Sequence, residues 1–186
     1  FSALQCENLK LYLERTRITE LYIDGKKIGR QESLCTPHIY DLNEYIGTGV
    51  HEMTICVSNV GYKTKGGHLT SPDTQTNWNG ITGRIELIGY KNAHAENVML
   101  WCDIHNKTVR VTANITGGKS GKAVISAESF NSERSHTPEV QSFEYTNGKL
   151  DALYKMGDDC LLWSEHEPNL YKLKIDIDGD VSEHII

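Results

Sequence analysis

The chain has 186 residues, with 19 basic against 25 acidic side chains and a formal charge of −6. Phosphate binding needs a basic face, so this balance argues against a nucleic-acid partner. No run of about 18 apolar residues exists to cross a membrane as a helix.

The first residue is Phe1, and no basic-then-apolar leader follows it, so the chain reads as an excised or processed piece. From there the hydrophobic period is two. Leu9, Leu11 and Leu13 alternate with Lys10, Tyr12 and Glu14. Asp24-Gly25, a hairpin signal, separates Leu21-Tyr22-Ile23 from Ile28-Gly29-Arg30. Met53, Ile55 and Val57 alternate with Thr54, Cys56 and Ser58. The segment from Val60 to Asn77 has no period, and a loop that long in a compact domain is usually functional. Ile85 to Ile88 is apolar, and Tyr90 to His94 is short and polar. A domain boundary is therefore expected near residues 90 to 95. Beyond it, Val109, Val111, Ala113 and Ile115 alternate with polar residues. So do Tyr171, Leu173, Ile175 and Ile177, with Gly117-Gly118 and Asn147-Gly148 as turns between. Strands of this length between such turns predict antiparallel sandwiches.

The five cysteines, Cys6, Cys35, Cys56, Cys102 and Cys160, are scattered, with no metal-ligand spacing. They read as free, mostly buried thiols. Neither a metal nor a cofactor is expected. Trp101 and Trp163 are expected in the core of the second part or at its domain contact.

Three stretches resemble the sugar-binding domain of glycoside hydrolase family 2. The first is Leu21 to Gly29 followed by Thr36-Pro37-His38-Ile39-Tyr40-Asp41-Leu42, similar to a family hairpin, Thr-Pro turn and strand end. The second is Gly49 to Asn59, similar to the family's strand ending in "V-x-V-x-N". The third and most specific is Thr74 to Leu87, which resembles a segment of large family members. A fourth stretch, Leu161 to Leu173, resembles the "L-W-x-x-x-x-P-x-L-Y-x-L" signature of the family's immunoglobulin-like domain.

The resemblance implies an all-β fold of two β-sandwiches. Residues 1–90 would form a sugar-binding jelly roll lacking its first strands, and residues 93–186 an immunoglobulin-like sandwich. A catalytic barrel of the same polypeptide would follow and carry both catalytic glutamates. The chain alone would then be inactive, a non-catalytic front part of a glycosidase cleaving O-glycosidic bonds in carbohydrates. The incomplete jelly roll would expose a sheet edge and self-associate through it. The family occurs in cytoplasm and periplasm alike, so localisation stays open; scattered cysteines disfavour a disulfide-built secreted fold.

By the same resemblance, Gln75, Thr76, Asn77 and Asn79 are candidate partners for sugar hydroxyls, and Trp78 a candidate stacking face. Amides offer both donor and acceptor atoms, and an aromatic face covers apolar C–H patches. Trp78 also suits a core or interdomain role, and Asn77 and Asn79 suit turn caps. The family's β-galactosidases carry an acid just before this tryptophan, where Thr76 and Asn77 stand here, so the sugar stays open.

Glycoside hydrolysis needs two carboxyls about 5 Å apart for retention, or about 6.5–9.5 Å for inversion, across one sugar. Asn43-Glu44 and the pair Glu165 and Glu167 have the right chemistry but fall in turns. Two other readings remain open. A stand-alone carbohydrate-binding module would carry an aromatic stripe on one sheet face, and a purely structural module would have no sugar affinity.

Overall fold

The computed structural model describes residues 8–62, 71 and 79–186. Among the described residues every regular element is a strand, and no helix is long and apolar enough to cross a membrane. The chain divides into two compact units, Phe1–Tyr90 and Lys91–Ile186.

The first unit contains β1 (Asn8–Leu13), β2 (Ile18–Ile23), β3 (Lys26–Glu32), β4 (His38–Asp41), β5 (Met53–Ser58) and β6 (Ile85–Tyr90). They form two antiparallel sheets, β4-β1-β6 and β3-β2-β5. Alternation gives each sheet one apolar face. Leu9, Leu11, Leu13, Tyr40 and Leu42 on one side pack with Leu21 and Ile23 on the other in a single core. The Asp24-Gly25 turn between β2 and β3 has φ of 50° and 77°, the doubly left-handed turn that matches strand twist. The Asp24 carboxylate also accepts from Glu52 N at 2.9 Å and pairs with His51 Nδ1 at 2.7 Å.

A buried polar cluster lies within this core. Thr19 Oγ1 stands 2.6 Å from His38 Nδ1 and 2.8 Å from the Tyr40 hydroxyl. His38 Nε2 lies 3.0 Å from Ser33 O, and a carbonyl only accepts. Nε2 therefore carries the proton, and burial pushes the His38 pKa down.

The second unit contains β7 (His94–Asp103), β8 (Thr108–Thr116), β9 (Ser120–Ser129), β10 (Gln141–Thr146), β11 (Lys149–Lys155), β12 (Tyr171–Ile177) and β13 (Asp180–Ile185). Their order is β13-β12-β9-β10-β11-β8-β7. β10 and β11 pair only at Thr146 and Lys149, so the sheet folds at that hairpin into two layers. Val109, Val111, Ala113 and Ile115 from one layer meet Ala123, Ile125, Leu173, Ile175 and Ile177 from the other in one core. The Asn147-Gly148 and Asp178-Gly179 turns repeat the doubly left-handed geometry. Gly118 and Gly121 are required for another reason. A Cβ on either would sit 2.7 Å from the hydroxyl oxygen of buried Tyr145.

One expectation is corrected. Cys35, Cys56, Cys102 and Cys160 are free, but three are exposed and Cys160 is half-buried: Cys35 lies in the bend before β4, and Cys56 stands opposite Glu20 on the outer face of its sheet. Trp101 and Trp163 do not enter the second unit's core, being 48 % and 64 % exposed. Trp101 instead lies beside the Arg110 guanidinium, 5.7 Å from its ring centre.

Candidate functional site

Of the residues singled out for sugar contact, Gln75, Thr76, Asn77 and Trp78 lie outside the described residues. Asn79 is described, and the structure shows how the chain that follows it is held.

That hold begins at an amide pair: Asn59 Nδ2 donates to Asn79 Oδ1. Gly80 follows with φ of 86°, a left-handed bend that suits glycine. Ile81 then packs on the first unit's core. The Thr82 amide and hydroxyl both donate to Arg15 O, at 3.1 and 3.2 Å. Gly83 N donates to Glu14 O at 3.0 Å, and Glu14 N to Arg84 O at 2.9 Å. Residues 79–84 thus run along the end of β1. Gly83 permits this approach, since a Cβ there would stand 2.7 Å from Glu14 Cβ and 2.8 Å from Glu14 O.

Arg84 closes the clamp. Its amide and Nε donate to Glu14 Oε2 at 3.2 and 3.3 Å, and Nη2 donates to the Tyr12 hydroxyl at 3.0 Å. The Arg84 amide first, and its side chain second, hold the Glu14 carboxyl below its ordinary pKa. Glu14 is therefore a fixed anion and not a proton donor. Asn59 was not singled out in the sequence, although it ends the strand motif Gly49 to Asn59. Its own Oδ1 is buried with no hydrogen-bond partner among the described residues.

The carboxyls weighed for catalysis fall elsewhere. Asn43 accepts from Leu9 N at 2.6 Å and its amide donates to Asp41 Oδ1 at 3.0 Å, so Asn43-Glu44 belongs to a turn that finishes β4. Glu165 and Glu167 flank exposed His166 in a second turn. Ser164 N donates to Glu167 O at 2.9 Å, and Trp163 bridges Pro168. Asn131 straps this turn from both sides, donating to Pro168 O at 2.6 Å and accepting from Leu170 N at 2.7 Å. The Tyr171 hydroxyl accepts from Leu161 N at 2.8 Å. Its pKa is pushed up to about 12, chiefly by burial. The Leu161 to Leu173 motif is thereby explained as a braced turn.

Two grooves accompany these features. One of about 600 Å³ lies beside the braced turn, walled by Asn131 to Arg134 and His166 to Asn169. One of about 530 Å³ runs between the edges of β3 and β4, lined by residues including Gly29, Arg30, Ile39 and Asp41. No group of three or more metal-ligating side chains occurs among the described residues.

The sequence profile of "Glycosyl hydrolases family 2" matches residues 93–185. A β-galactosidase of Clostridium acetobutylicum is 21 % identical over 166 residues, covering 88 % of this chain and 18 % of that protein. A β-galactosidase large subunit of Lactobacillus acidophilus is 23 % identical over 177 residues, covering 91 % and 26 %. Among solved structures, a Bacteroides uniformis β-glucuronidase superposes with a TM-score of 0.71 at 13 % identity, covering all of this chain and 25 % of its own. A β-glucuronidase of an uncultured Clostridium species gives 0.67 at 20 % identity, covering 100 % and 33 %. Over the matched part these structures share the all-β fold of this chain. The chain therefore spans 18 % and 26 % of the two sequence relatives.

Proposed function

The chain belongs to glycosyl hydrolases family 2, and from that membership we propose that it is a non-catalytic part of a longer glycosidase. Its role is to brace a catalytic barrel of the same polypeptide and to shape one rim of the sugar site. The first unit acts as the sugar-binding jelly roll and the second as an immunoglobulin-like spacer. The rim is the segment carrying Gln75, Thr76, Asn77, Trp78 and Asn79. The observation that carries this reading is the clamp of residues 79–84 on β1, which anchors one end of that segment. The sequence relatives are β-galactosidases and the structural neighbours β-glucuronidases, so the substrate is a β-linked hexoside.

Support for a non-catalytic role comes from the turns that hold Glu44 and Glu167: the Asn43 amide donates to Asp41 Oδ1, and Ser164 N donates to Glu167 O. Incubating the chain alone with chromogenic aryl β-galactosides and β-glucuronides tests it. No release above the blank is expected. Turnover that disappears in Glu44→Gln or Glu167→Gln would overturn the reading.

A further inference from the structure

Asn59 and Asn79 stand 20 positions apart in the chain and meet by their side-chain amides, Asn59 Nδ2 donating to Asn79 Oδ1. Each is held by its own backbone. Asn59 directly follows β5, and a local brace spans it: Ser58 Oγ donates to Val60 O at 3.1 Å and accepts from Val60 N at 3.2 Å. Gly61 then turns the chain with φ of 86°. Asn79 stands at the head of the clamped stretch, beside the left-handed Gly80 and two residues before Ile81, which packs on the core.

The contact gives the two ends of the Asn79 amide different tasks. An amide oxygen only accepts, and an amide NH2 only donates. The oxygen of Asn79 is taken by Asn59, whereas its Nδ2 makes no hydrogen bond among the described residues and the residue is exposed. Asn79 therefore presents a donor, where an unheld asparagine would be free to turn either end outward. Asn59 is half-buried, and its own Oδ1 is enclosed with no partner among the described residues. An enclosed amide oxygen left unpaired is costly, and an apolar side chain of similar volume would fill the place without that cost. What the amide alone supplies at position 59 is the Nδ2 donor to Asn79.

We propose that Asn59 is a positioning residue for sugar binding: it fixes the Asn79 amide so that Nδ2 faces the substrate and donates to a sugar hydroxyl oxygen. The inference rests on the sugar-site reading, in which Asn79 belongs to the rim. It goes beyond that reading by naming the atom that makes the contact and the residue that aims it. Holding the amide in one orientation before the sugar arrives removes a rotation that binding would otherwise have to freeze. Asn59 acts through Asn79 and is not itself a sugar contact.

A double-mutant cycle on the longer enzyme, read by steady-state kinetics with an aryl β-hexoside, tests the assignment. Asn79→Ala is expected to raise KM about tenfold, the loss of one hydrogen bond to substrate, with kcat within a factor of about two. Asn59→Ala is expected to raise KM in the same way. The double variant is expected to rise no further than Asn79→Ala alone, because both changes remove one donor. Asn59→Asp keeps the shape of the side chain and replaces its donor by an acceptor, so it turns the Asn79 amide round and is expected to raise KM without loss of fold. KM unchanged in Asn79→Ala contradicts the sugar-site reading and this inference with it. KM raised by Asn79→Ala but by neither Asn59 variant overturns the inference alone and leaves the reading standing. Effects that add in the double variant also overturn it, since Asn59 would then act on something other than Asn79.

Discussion

His38 and His51 lie in one unit and respond to acid in opposite senses. Burial lowers the His38 pKa, and only the bond to Ser33 O opposes it. Above the ordinary histidine pKa of about 6.5 both folded and unfolded states are neutral, so its contribution to stability is whole. As pH falls from there toward the depressed folded value, the unfolded chain takes up its proton first and stability is lost. His51 is raised, mainly by its bond to Asp24. Its contribution is whole below about 6.5 and disappears as pH rises through the raised folded value. His184 in the second unit is also lowered by burial and acts in the His38 sense. His38→Gln is therefore expected to flatten the fall in melting temperature between neutral pH and pH 5. Asp24→Asn is expected to weaken stability below neutrality and to have less effect at pH 8. Melting curves of both variants across that range check the signs, and a steeper acid loss in His38→Gln would refute them. None of this was visible in the sequence, because the His38 cluster depends on Thr19, which reaches both His38 and Tyr40 of β4 from β2 in the other sheet.

At the scale of elements, the period of two was informative and the contacts between strands were not. Alternation placed β1, β5, β8 and β12, and Asp24-Gly25 and Asn147-Gly148 announced their turns. β3 was harder to read because its burial does not alternate along the bulged stretch. Asp178-Gly179 was passed over as a turn, since Asp176 and Asp178 also fit the polar face of β12. Cys56 and Trp101 take the outer face for a shared reason. Composition ranks such residues as interior, whereas strand parity decides the face each one takes. The clamp at residues 79–84 was out of reach, because Glu14 and Arg84 are 70 residues apart and Gly83 looks like any turn glycine. One element-scale prediction follows from the hairpin packing on Tyr145. Gly121→Ala would drive a methyl into the Tyr145 hydroxyl at 2.7 Å. A loss of about 1–3 kcal/mol is expected from such overpacking. Tyr145→Phe should recover part of it by removing the nearest atom. Urea unfolding of the single and double variants checks this, and a Gly121→Ala chain as stable as the parent would refute it.

For the whole molecule, each unit has its own core, and in the function proposed above the chemistry of a glycosidase is carried by the longer protein. In that proposal this chain contributes a support: a segment beginning at Asn79 and clamped on β1, with Gln75 to Asn79 as the proposed rim of the sugar site. Such a rim acts on substrate binding more than on the bond-breaking step, so its loss should raise KM and spare kcat. The most direct measurement is the steady-state kinetics of the longer enzyme carrying Gly83→Ala, which pushes the clamp off Glu14 without substituting any of the proposed rim residues. We expect KM for an aryl β-hexoside to rise about tenfold, equivalent to about 1.4 kcal/mol of lost binding, with kcat within a factor of about two. Unchanged KM, with melting behaviour showing that the clamp has been disturbed, would contradict the account.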